Sequence, residues 1–325
     1  MSNQRLIHLD IIRALAMLYI VGYWHLFNYT EFFPFYSNPV SHKFTQVILG
    51  TFCVVSGYLL GFKQNDAVSL ITPLKFYKKR FLRIYPLYIL SLSCFLFLGL
   101  IDFSTAIKAA FLLSMFLEPA PLTLWFISML LLFYLVTPFL MYFSSNNIKF
   151  LAVSMLIELA LITYEHQIGS LDIRILIYFP CFAAGLYISM NSIKMPNNNM
   201  KAIIIFALCF AVSFIETSWS EHFSFILLAP MVLTGALFIL KTRFPIKHTL
   251  SLKLITYLSF SSYAMYLFHR PIYDVMLQIY YPNLAFLQWL YLMSVCLPLI
   301  VWLSWHIQKT YDTLDTSFRK HYDLT

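Results

Sequence analysis

The strongest constraint on this chain is a series of apolar runs, each long enough to cross a lipid bilayer. Runs of ~17 to 24 residues match a hydrocarbon core ~30 Å thick when they are helical. Backbone groups in lipid must be hydrogen-bonded within their own segment, so runs of this length without turn residues have to be helices. Of the 325 residues, 60% are hydrophobic and 11% are charged, which excludes water as the main solvent. The sequence therefore predicts an all-α polytopic membrane protein.

Hydropathy predicts about ten transmembrane helices in one bundle. The predicted spans are 8–27, 44–62, 84–101, 124–143, 148–164, 174–190, 201–216, 223–240, 255–273 and 285–308. Hydropathy alone leaves open whether a further apolar segment, 104–118, is an eleventh span, so the charges of the loops have to decide.

The basic residues collect on one side of a ten-span arrangement. That side has Arg5, the Lys63–Arg83 cluster, Lys149, Lys194, Lys201, Lys241, Arg243, Lys247, Lys253, Lys309, Arg319 and Lys320. The other side has the acids Glu31, Asp102, Glu118, Glu165, Asp172, Glu216 and Glu221, with Lys43, Lys108 and Arg174 as the basic minority. The positive-inside rule then puts both termini in the cytoplasm. A full span at 104–118 would invert everything after it, so we expect an interfacial or re-entrant outer helix there.

We expect a single transmembrane domain over 1–325, with no separate soluble domain. The first apolar run has the length of a span and lacks a small-residue cleavage pattern, so we expect it to stay as the first helix. All five cysteines fall in apolar runs without a CxxC or Cys/His spacing, which favours packing roles over redox or metal roles, and no metal is expected. The net charge of +8 is concentrated in loops beside spans, which indicates membrane lipids rather than nucleic acid as the partner.

The first predicted helix carries three ionisable residues that are costly in lipid. Asp10 and Arg13 lie near its inner end and His25 towards its outer end. Such residues are usually found facing a bundle interior or a water-filled cavity, and they indicate a functional site. The alternative is that Asp10 and Arg13 snorkel to one interface while His25 is hydrogen-bonded at the other.

Two further segments offer candidate cofactor contacts. The segment 54–61 contains Ser56 and Gly57, which by themselves would be a small helix-packing pair. The segment 76–86 lies on the predicted cytoplasmic side. A basic cluster beside a span favours the binding of anionic lipid headgroups, and the alternative is binding of the phosphates of a cytosolic cofactor. The members of this cluster are Lys75, Lys78, Lys79, Arg80 and Arg83.

The last two segments are 124–138, with Trp125, Tyr134 and Pro138, and 261–272, with Tyr263 and His269. Taken singly, Trp125 is typical of a tryptophan at the membrane interface, and His269 of a polar residue at the outer end of a span. Their order after the earlier motifs changes this interpretation.

In this order the motifs resemble those of the acyltransferase 3 family, membrane-bound O-acyltransferases that modify bacterial surface polysaccharides. The resemblance implies a multi-pass protein of the bacterial inner membrane that transfers an acyl group, commonly acetyl from acetyl-CoA, to a sugar hydroxyl of a polysaccharide or its lipid-linked precursor. It covers roughly residues 8–275. The matches are Asp10-x-x-Arg13 with His25, the Ser56-Gly57 helix, Arg80-x-x-Arg83-Ile-x-Pro86, the helix from Trp125 through Tyr134 to Pro138, and Ser262-Tyr263 with His269.

The same resemblance implies roles for the matched residues. A sugar hydroxyl has a pKa far above neutral, so we expect the imidazole of His25 to remove its proton as it attacks the thioester. A transient acyl group on His25 is an open alternative. We expect Arg13 to steady CoA or the developing oxyanion, with Asp10 fixing Arg13 by an ion pair. The other expected contacts are Arg80, Arg83, Lys79 and Ser56 with the acyl-CoA, and Trp125, Tyr134, Tyr263 and His269 as substrate or structural support.

The first helix departs from the family's pattern by one residue. The pattern has ten residues between the arginine and the histidine, and this chain has eleven between Arg13 and His25. At ~100° per residue, eleven steps bring two side chains nearly onto one face of a regular helix, whereas twelve leave them ~120° apart. A one-residue π-bulge would restore the alignment. We therefore predict a bulge or kink between Tyr19 and Trp24, and Gly22 suits such an irregularity.

The predicted topology gives the reaction a direction. Arg13 and the basic cluster lie inside, where CoA is, while His25 and His269 lie towards the outer leaflet. About 18 Å of helix axis separates Arg13 from His25. We expect an extended pantetheine arm to bring the thioester to His25, for transfer onto a lipid-linked or outward-facing glycan.

Two rival interpretations stay open. A transporter or flippase would use the same Asp, Arg and His residues as a substrate or proton pathway, although the sequence lacks the repeated halves typical of that class. An acyltransferase-fold protein without activity is the other, if the altered spacing damages the site. The sugar, the hydroxyl, the acyl chain and the oligomeric state have no readable code in the sequence.

Overall fold

The structure is a computed structural model that describes residues 7–65, 73–193, 199–215, 224–242 and 249–321. Within these ranges all regular structure is helical, which confirms the all-α prediction for this part of the chain. The α-helices are α1 (Ile7–Tyr19), α2 (Pro39–Asn65), α3 (Pro73–Phe97), α4 (Phe103–Ala110), α5 (Trp125–Phe143), α6 (Asn147–Ile168), α7 (Arg174–Met190), α8 (Asn199–Val212), α9 (Phe225–Lys241), α10 (Thr249–Ile279), α11 (Ala285–Tyr291) and α12 (Leu297–His321).

Helices lie at each of the predicted spans, and several are long and apolar enough to cross a membrane. Six stretches of the described chain meet both criteria: Ile7–Tyr29, Pro39–Phe62, Pro73–Phe97, Trp125–Phe143, Asn147–Ile168 and Ala285–Ser317. The helices α7, α8 and α9 are shorter and apolar. The chain is thus a helical, multi-pass membrane protein, while the number of ten crossings and the cytoplasmic location of both termini stay predictions.

Two predicted boundaries were wrong: the tenth span was expected to end at residue 308, but α12 continues to His321, and the start of the third span also differs. The third span was expected to begin at residue 84, but α3 begins at Pro73. The basic residues before Arg83 therefore lie on the first turns of a helix and not in a loop. The charged residues Arg5, Lys194, Arg243, Lys247, Glu216 and Glu221, which contributed to the predicted topology, lie outside the described residues.

The segment 104–118 does not form a spanning helix, as predicted. Its helix α4 has eight residues, about 12 Å of rise, and ends at Ala110 before a 3₁₀ turn at Leu113–Met115. The backbone N–H of Asp172 donates to the carbonyl of Met115 at 2.9 Å, and Ser170 Oγ donates to that of Phe116 at 2.6 Å. These bonds hold the segment against the connection between α6 and α7.

The chain divides into two compact units. The first contains the described residues within 1–42, 81–102 and 243–325, and the second those within 43–80 and 103–242. The helix α3 contributes its first turns to the second unit and the rest to the first. The prediction of a single transmembrane domain stays a prediction.

In the first unit, α1 and α10 run in the same direction. Ser259, early in α10, donates to Asp10 of α1 at 2.7 Å, and Tyr273, late in α10, donates to the carbonyl of Val21 at 3.2 Å. The residue later in α10 thus contacts the residue later in the first helical stretch, which shows that the two helices are parallel. A parallel course is what the ten-span topology requires for its first and ninth spans, whereas a span at 104–118 would require the opposite course.

A second irregular helix completes the first unit. The stretch from α11 to α12 is interrupted by a π-helical segment, Leu292–Cys296, which hydropathy did not predict. It runs antiparallel to α10, because Tyr291 donates to the carbonyl of Met276 at 3.2 Å and Trp305 stacks on Tyr257 with ring centroids 5.5 Å apart.

The second unit is held by close contacts between α2 and α7. A Cβ placed on Gly57 would lie 2.2 Å from the carbonyl oxygen of Phe182, and one on Gly185 would lie 2.1 Å from that of Val54. Both distances are below any real van der Waals contact. Only glycine at these positions lets the two helix backbones approach so closely.

Candidate active site

The first helix contains the predicted irregularity. α1 ends at Tyr19 and continues as a π-helical segment over Ile20–His25, followed by a 3₁₀ turn at Leu26–Tyr29. The prediction of a bulge between Tyr19 and Trp24 is confirmed. A π turn takes up one extra residue, and so it offsets the added residue between Arg13 and His25.

His25 and His269 form a buried pair between the π segment and α10. The exposed fraction is 8% for His25 and 0% for His269. Nδ1 of His25 lies 2.8 Å from Nε2 of His269. The ring planes differ by 10° and the centroids are 4.8 Å apart, so the imidazoles meet edge to edge through a hydrogen bond and do not stack face to face. The sequence predicted both residues but could not predict that they touch.

The backbone of α10 determines the tautomers of this pair. Nδ1 of His269 lies 2.8 Å from the carbonyl oxygen of Tyr266 and 3.1 Å from that of Met265. Carbonyls only accept, so Nδ1 of His269 must carry the proton. With both imidazoles neutral, Nε2 of His269 then accepts from Nδ1–H of His25. This leaves Nε2 of His25 with its lone pair, and no hydrogen bond to that nitrogen is found within the described chain.

Arg270 is a third polar residue at this pair, and it was not among the predicted site residues. It directly follows His269 on α10 and interacts electrostatically with both His25 and His269. It is also hydrogen-bonded to the hydroxyl of Tyr29. A charged residue near the end of a predicted span is the sequence signal that identifies it.

Asp10 and Arg13 form the predicted ion pair at the other end of α1. Arg13 Nη2 lies 2.8 Å from Asp10 Oδ1. Ser259 of α10 bridges the two, since its hydroxyl accepts from Arg13 and donates to Asp10 at 2.7 Å. This cluster lies twelve residues before His25, so the structure does not bring Arg13 to the histidine pair.

Tyr263 fastens α10 to α3. Its hydroxyl donates to the carbonyl of Ile84 at 2.7 Å, directly after Arg83. Arg83 itself is exposed. Tyr263 therefore has a structural contact that positions the end of the basic cluster in the first unit.

The predicted support residues Trp125 and Tyr134 lie in the second unit, on α5. Trp125 is 8% exposed, and its ring is covered by Arg174, whose guanidinium carbon is 3.9 Å from the ring centroid. Arg174 is in turn paired with Asp172. Tyr134 is buried and packs on Phe182 with centroids 6.0 Å apart. Trp125 is thus buried in a cation–π contact.

The predicted cofactor residues Ser56, Lys79 and Arg80 also belong to the second unit. Ser56 is half-buried on α2, next to the tightly packed Gly57. Lys79 is exposed on α3, while Arg80 is half-buried with its guanidinium 5.8 Å from the ring centroid of Phe76.

An apolar cavity opens beside the π segment in the first unit. Its volume is about 750 Å³. Its walls are almost wholly hydrophobic and come from the π segment, the loop before α2, and the region around the second π segment. They include Gly22, Tyr23, Phe27, Tyr36, Trp289 and Met293. A volume of this size accommodates a ligand far larger than an acetyl group.

Polar groups lie next to this cavity. The hydroxyl of Tyr36 donates to Asn28, and Ser37 Oγ lies 2.9 Å from Nε2 of His42. The His42 ring meets that of Trp24 edge to face, with centroids 4.8 Å apart. These amide, hydroxyl and imidazole groups can donate and accept hydrogen bonds.

Comparison with known proteins gives one finding. A protein-family model described as an acyltransferase domain matches residues 6–305. No curated protein and no solved structure matches the chain.

Proposed function

Because the chain belongs to the acyltransferase 3 family, we propose that it transfers an acetyl group from acetyl-CoA to a sugar hydroxyl. The acceptor is a cell-surface polysaccharide or its lipid-linked precursor, and the site of action is the bacterial inner membrane. Family membership supports a membrane acyltransferase in general. The donor, the acceptor and the base are our proposals.

The observation that carries the proposal is the hydrogen-bonded pair of His25 and His269. With its Nδ1–H held by His269, His25 presents an unprotonated Nε2. A nitrogen in this state removes the proton of the acceptor hydroxyl as the oxygen attacks the thioester carbonyl. A fixed tautomer and a buried setting are what a general base in an acyl transfer requires.

The donor would be held by cationic groups along α1 and α3. Arg80 and Arg83 are three residues apart on one helix, so both can reach the same group of CoA phosphates, with Lys79 adjacent. Ser56 is the remaining proposed contact with the donor. Arg13, fixed by Asp10 and Ser259, would steady the CoA moiety about 18 Å before His25 along the helix.

The acceptor would bind beside the π segment. The apolar cavity suits the hydrocarbon part of a lipid-linked glycan, and the polar groups around Tyr36 and His42 suit its sugar. The hydroxyl to be acylated would then approach His25, which lies on the same π segment as the cavity residue Tyr23. Trp125, Tyr134 and Tyr263 are the remaining residues proposed as substrate or structural support.

The test is mass spectrometry of surface glycans from cells that carry the wild-type gene, a His25→Ala variant or an empty vector. We expect an acyl adduct on the glycan only with the wild-type protein, and its mass identifies the acyl group. The variant and the wild type are compared at matched membrane abundance, so that a loss of insertion is not read as a loss of catalysis.

Two results would contradict the proposal. Equal acylation by the His25→Ala variant would remove His25 as the base. No acyl adduct from an abundant wild-type protein, in a host with a suitable glycan, would remove the transferase activity itself.

A further inference from the structure

Arg270 follows His269 directly on α10, and His269 is hydrogen-bonded to the proposed base His25. Arg270 interacts electrostatically with both imidazoles of the pair and is hydrogen-bonded to Tyr29, four residues after the π segment in which His25 lies. Its side chain is half-buried, and its Nε is buried without a hydrogen-bond partner. At least one donor of the guanidinium is therefore not used by the protein.

The charge of Arg270 is not neutralised by a contact ion pair. Arg270 belongs neither to the ion pair of Asp10 with Arg13 nor to that of Asp172 with Arg174. Asp274 lies one turn further along α10, where it accepts from Gln278 at 2.8 Å. A half-buried cation in a membrane helix without a contacting carboxylate is costly, and an anion that forms at the site would offset that cost.

We propose that Arg270 stabilises the oxyanion that develops on the thioester carbonyl, which makes it a further catalytic residue. This inference rests on the proposed acyl transfer. The sequence-based expectation gave that role to Arg13, but Arg13 is bound by Asp10 and Ser259 at the opposite end of α1. The charge of Arg270, by contrast, acts on His25 itself.

The acceptor oxygen attacks the carbonyl carbon, Nε2 of His25 takes the hydroxyl proton, and the carbonyl π electrons move to oxygen, opposite the guanidinium of Arg270. The tetrahedral intermediate then collapses, the carbon–sulfur bond breaks, and the CoA thiolate takes the proton from His25. The products are the acyl ester and CoA thiol, and the histidine pair returns to its starting state.

The test uses the full-length protein in native membrane vesicles with acetyl-CoA as the donor and the acylated glycan as the readout. Arg270→Gln removes the charge but keeps an amide donor, and Arg270→Lys keeps the charge. Tyr29→Phe is the matched control, because it removes a hydrogen bond to Arg270 and leaves the cation. We expect kcat to fall about 10²- to 10³-fold in Arg270→Gln with an unchanged KM for acetyl-CoA, and to be partly restored in Arg270→Lys. Tyr29→Phe should lose less than tenfold.

The pH profile of kcat distinguishes stabilisation of the oxyanion from an indirect effect on the base. Because the charge of Arg270 acts on both imidazoles, its removal displaces the limbs of the profile in either case, and an oxyanion role in addition keeps kcat low at the new optimum. A profile displaced along the pH axis, with the rate restored at its new optimum, would overturn the proposal, as would a raised KM at unchanged kcat. Full activity of Arg270→Gln beside an active wild type overturns the Arg270 role and leaves the proposed function standing. An inactive wild type overturns both.

Discussion

The carbonyl of Tyr266 determines which nitrogen of His25 can act as a base. It accepts from Nδ1–H of His269, and His269 in turn accepts from Nδ1–H of His25. This series does for His25 what a buried carboxylate does for the histidine of a serine protease: it fixes the tautomer and the orientation of the ring. A neutral partner achieves this without adding a buried negative charge.

Substitutions of His269 test this arrangement. We expect His269→Ala to lower acyl transfer about 10²- to 10⁴-fold, because His25 loses the acceptor that fixes its tautomer. His269→Gln should retain more activity, since its amide oxygen can accept from Nδ1–H of His25. The measurement is glycan acylation per unit of membrane-inserted protein.

The control is His166→Ala, at an exposed histidine at the end of α6 in the second unit. It should match the wild type. If His269→Ala also matched the wild type, the series of two histidines would have no part in the reaction, and His25 would act alone or not at all.

For single residues, the sequence identifies candidates for the site but does not predict which of them contact one another across helices. Asp10 and Arg13 are three residues apart, and their ion pair follows from local helix geometry. His25 and His269 are far apart in the sequence, and their contact depends on how α1 packs on α10. The contacts of Ser259 and Arg270 also depend on this packing. Neither residue was predicted to belong to the site, although both lie within the predicted span 255–273.

The π segment explains how Arg13 on α1 and His25 at the end of the segment can both contact α10. Arg13 meets Ser259 and His25 meets His269, so both side chains face α10. On a regular helix, twelve residues would turn His25 about 120° away from Arg13. Gly22 sits in the segment against Leu297, where a Cβ would come within 3.0 Å of a side-chain methyl.

Length changes in this segment should have unequal effects. We expect deletion of Gly22 to convert the segment to a regular helix with His25 about 20° from the face of Arg13, and to keep acylation within about tenfold of the wild type. Insertion of one alanine after Gly22 adds about 100° of rotation, and we expect it to abolish acylation. Both are measured by glycan mass spectrometry at matched membrane abundance. If the deletion and the insertion variants acylated the glycan equally well, the direction in which His25 points from its helix would not matter for the reaction.

Element boundaries were predictable where apolar composition decides them. The predicted boundaries were wrong where a helix continues into polar sequence, as in α3, which begins at Pro73. An amphipathic helix can extend beyond the apolar run that hydropathy detects. The second π segment, Leu292–Cys296, had no signal of the kind that the motif spacing supplied for the first.

Because α1 and α10 are parallel, their ends occur in pairs, and each pair of ends carries one of the two polar clusters. In the topology predicted from the loop charges, the inner ends of these helices carry the Asp10 cluster and the outer ends carry the histidine pair. Under this topology the proposed reaction takes its donor from one side of the membrane and presents the thioester near the other.

Thiol labelling in intact cells tests that topology. We expect Asn38→Cys, in the exposed loop before α2, to react with a membrane-impermeant maleimide added outside. Lys78→Cys, exposed on the first turns of α3, should react only after permeabilisation. The unsubstituted protein is the control for labelling of its five native cysteines.

The reverse pattern would put His25 near the cytoplasmic face and would remove the need for transfer across the membrane. Labelling of both positions from outside would contradict the assignment of α2 as a span.

The π turn at Ile20–His25 also has an evolutionary consequence. A single-codon insertion in a membrane helix ordinarily rotates every residue beyond it and separates groups that had come to act on a common partner. Where the extra residue is confined to one widened turn, the residues on both sides keep their faces, and selection has little to act against. A lineage can gain or lose one residue at such a site while its catalytic groups stay in register, so that spacing alone is a poor criterion for recognising them.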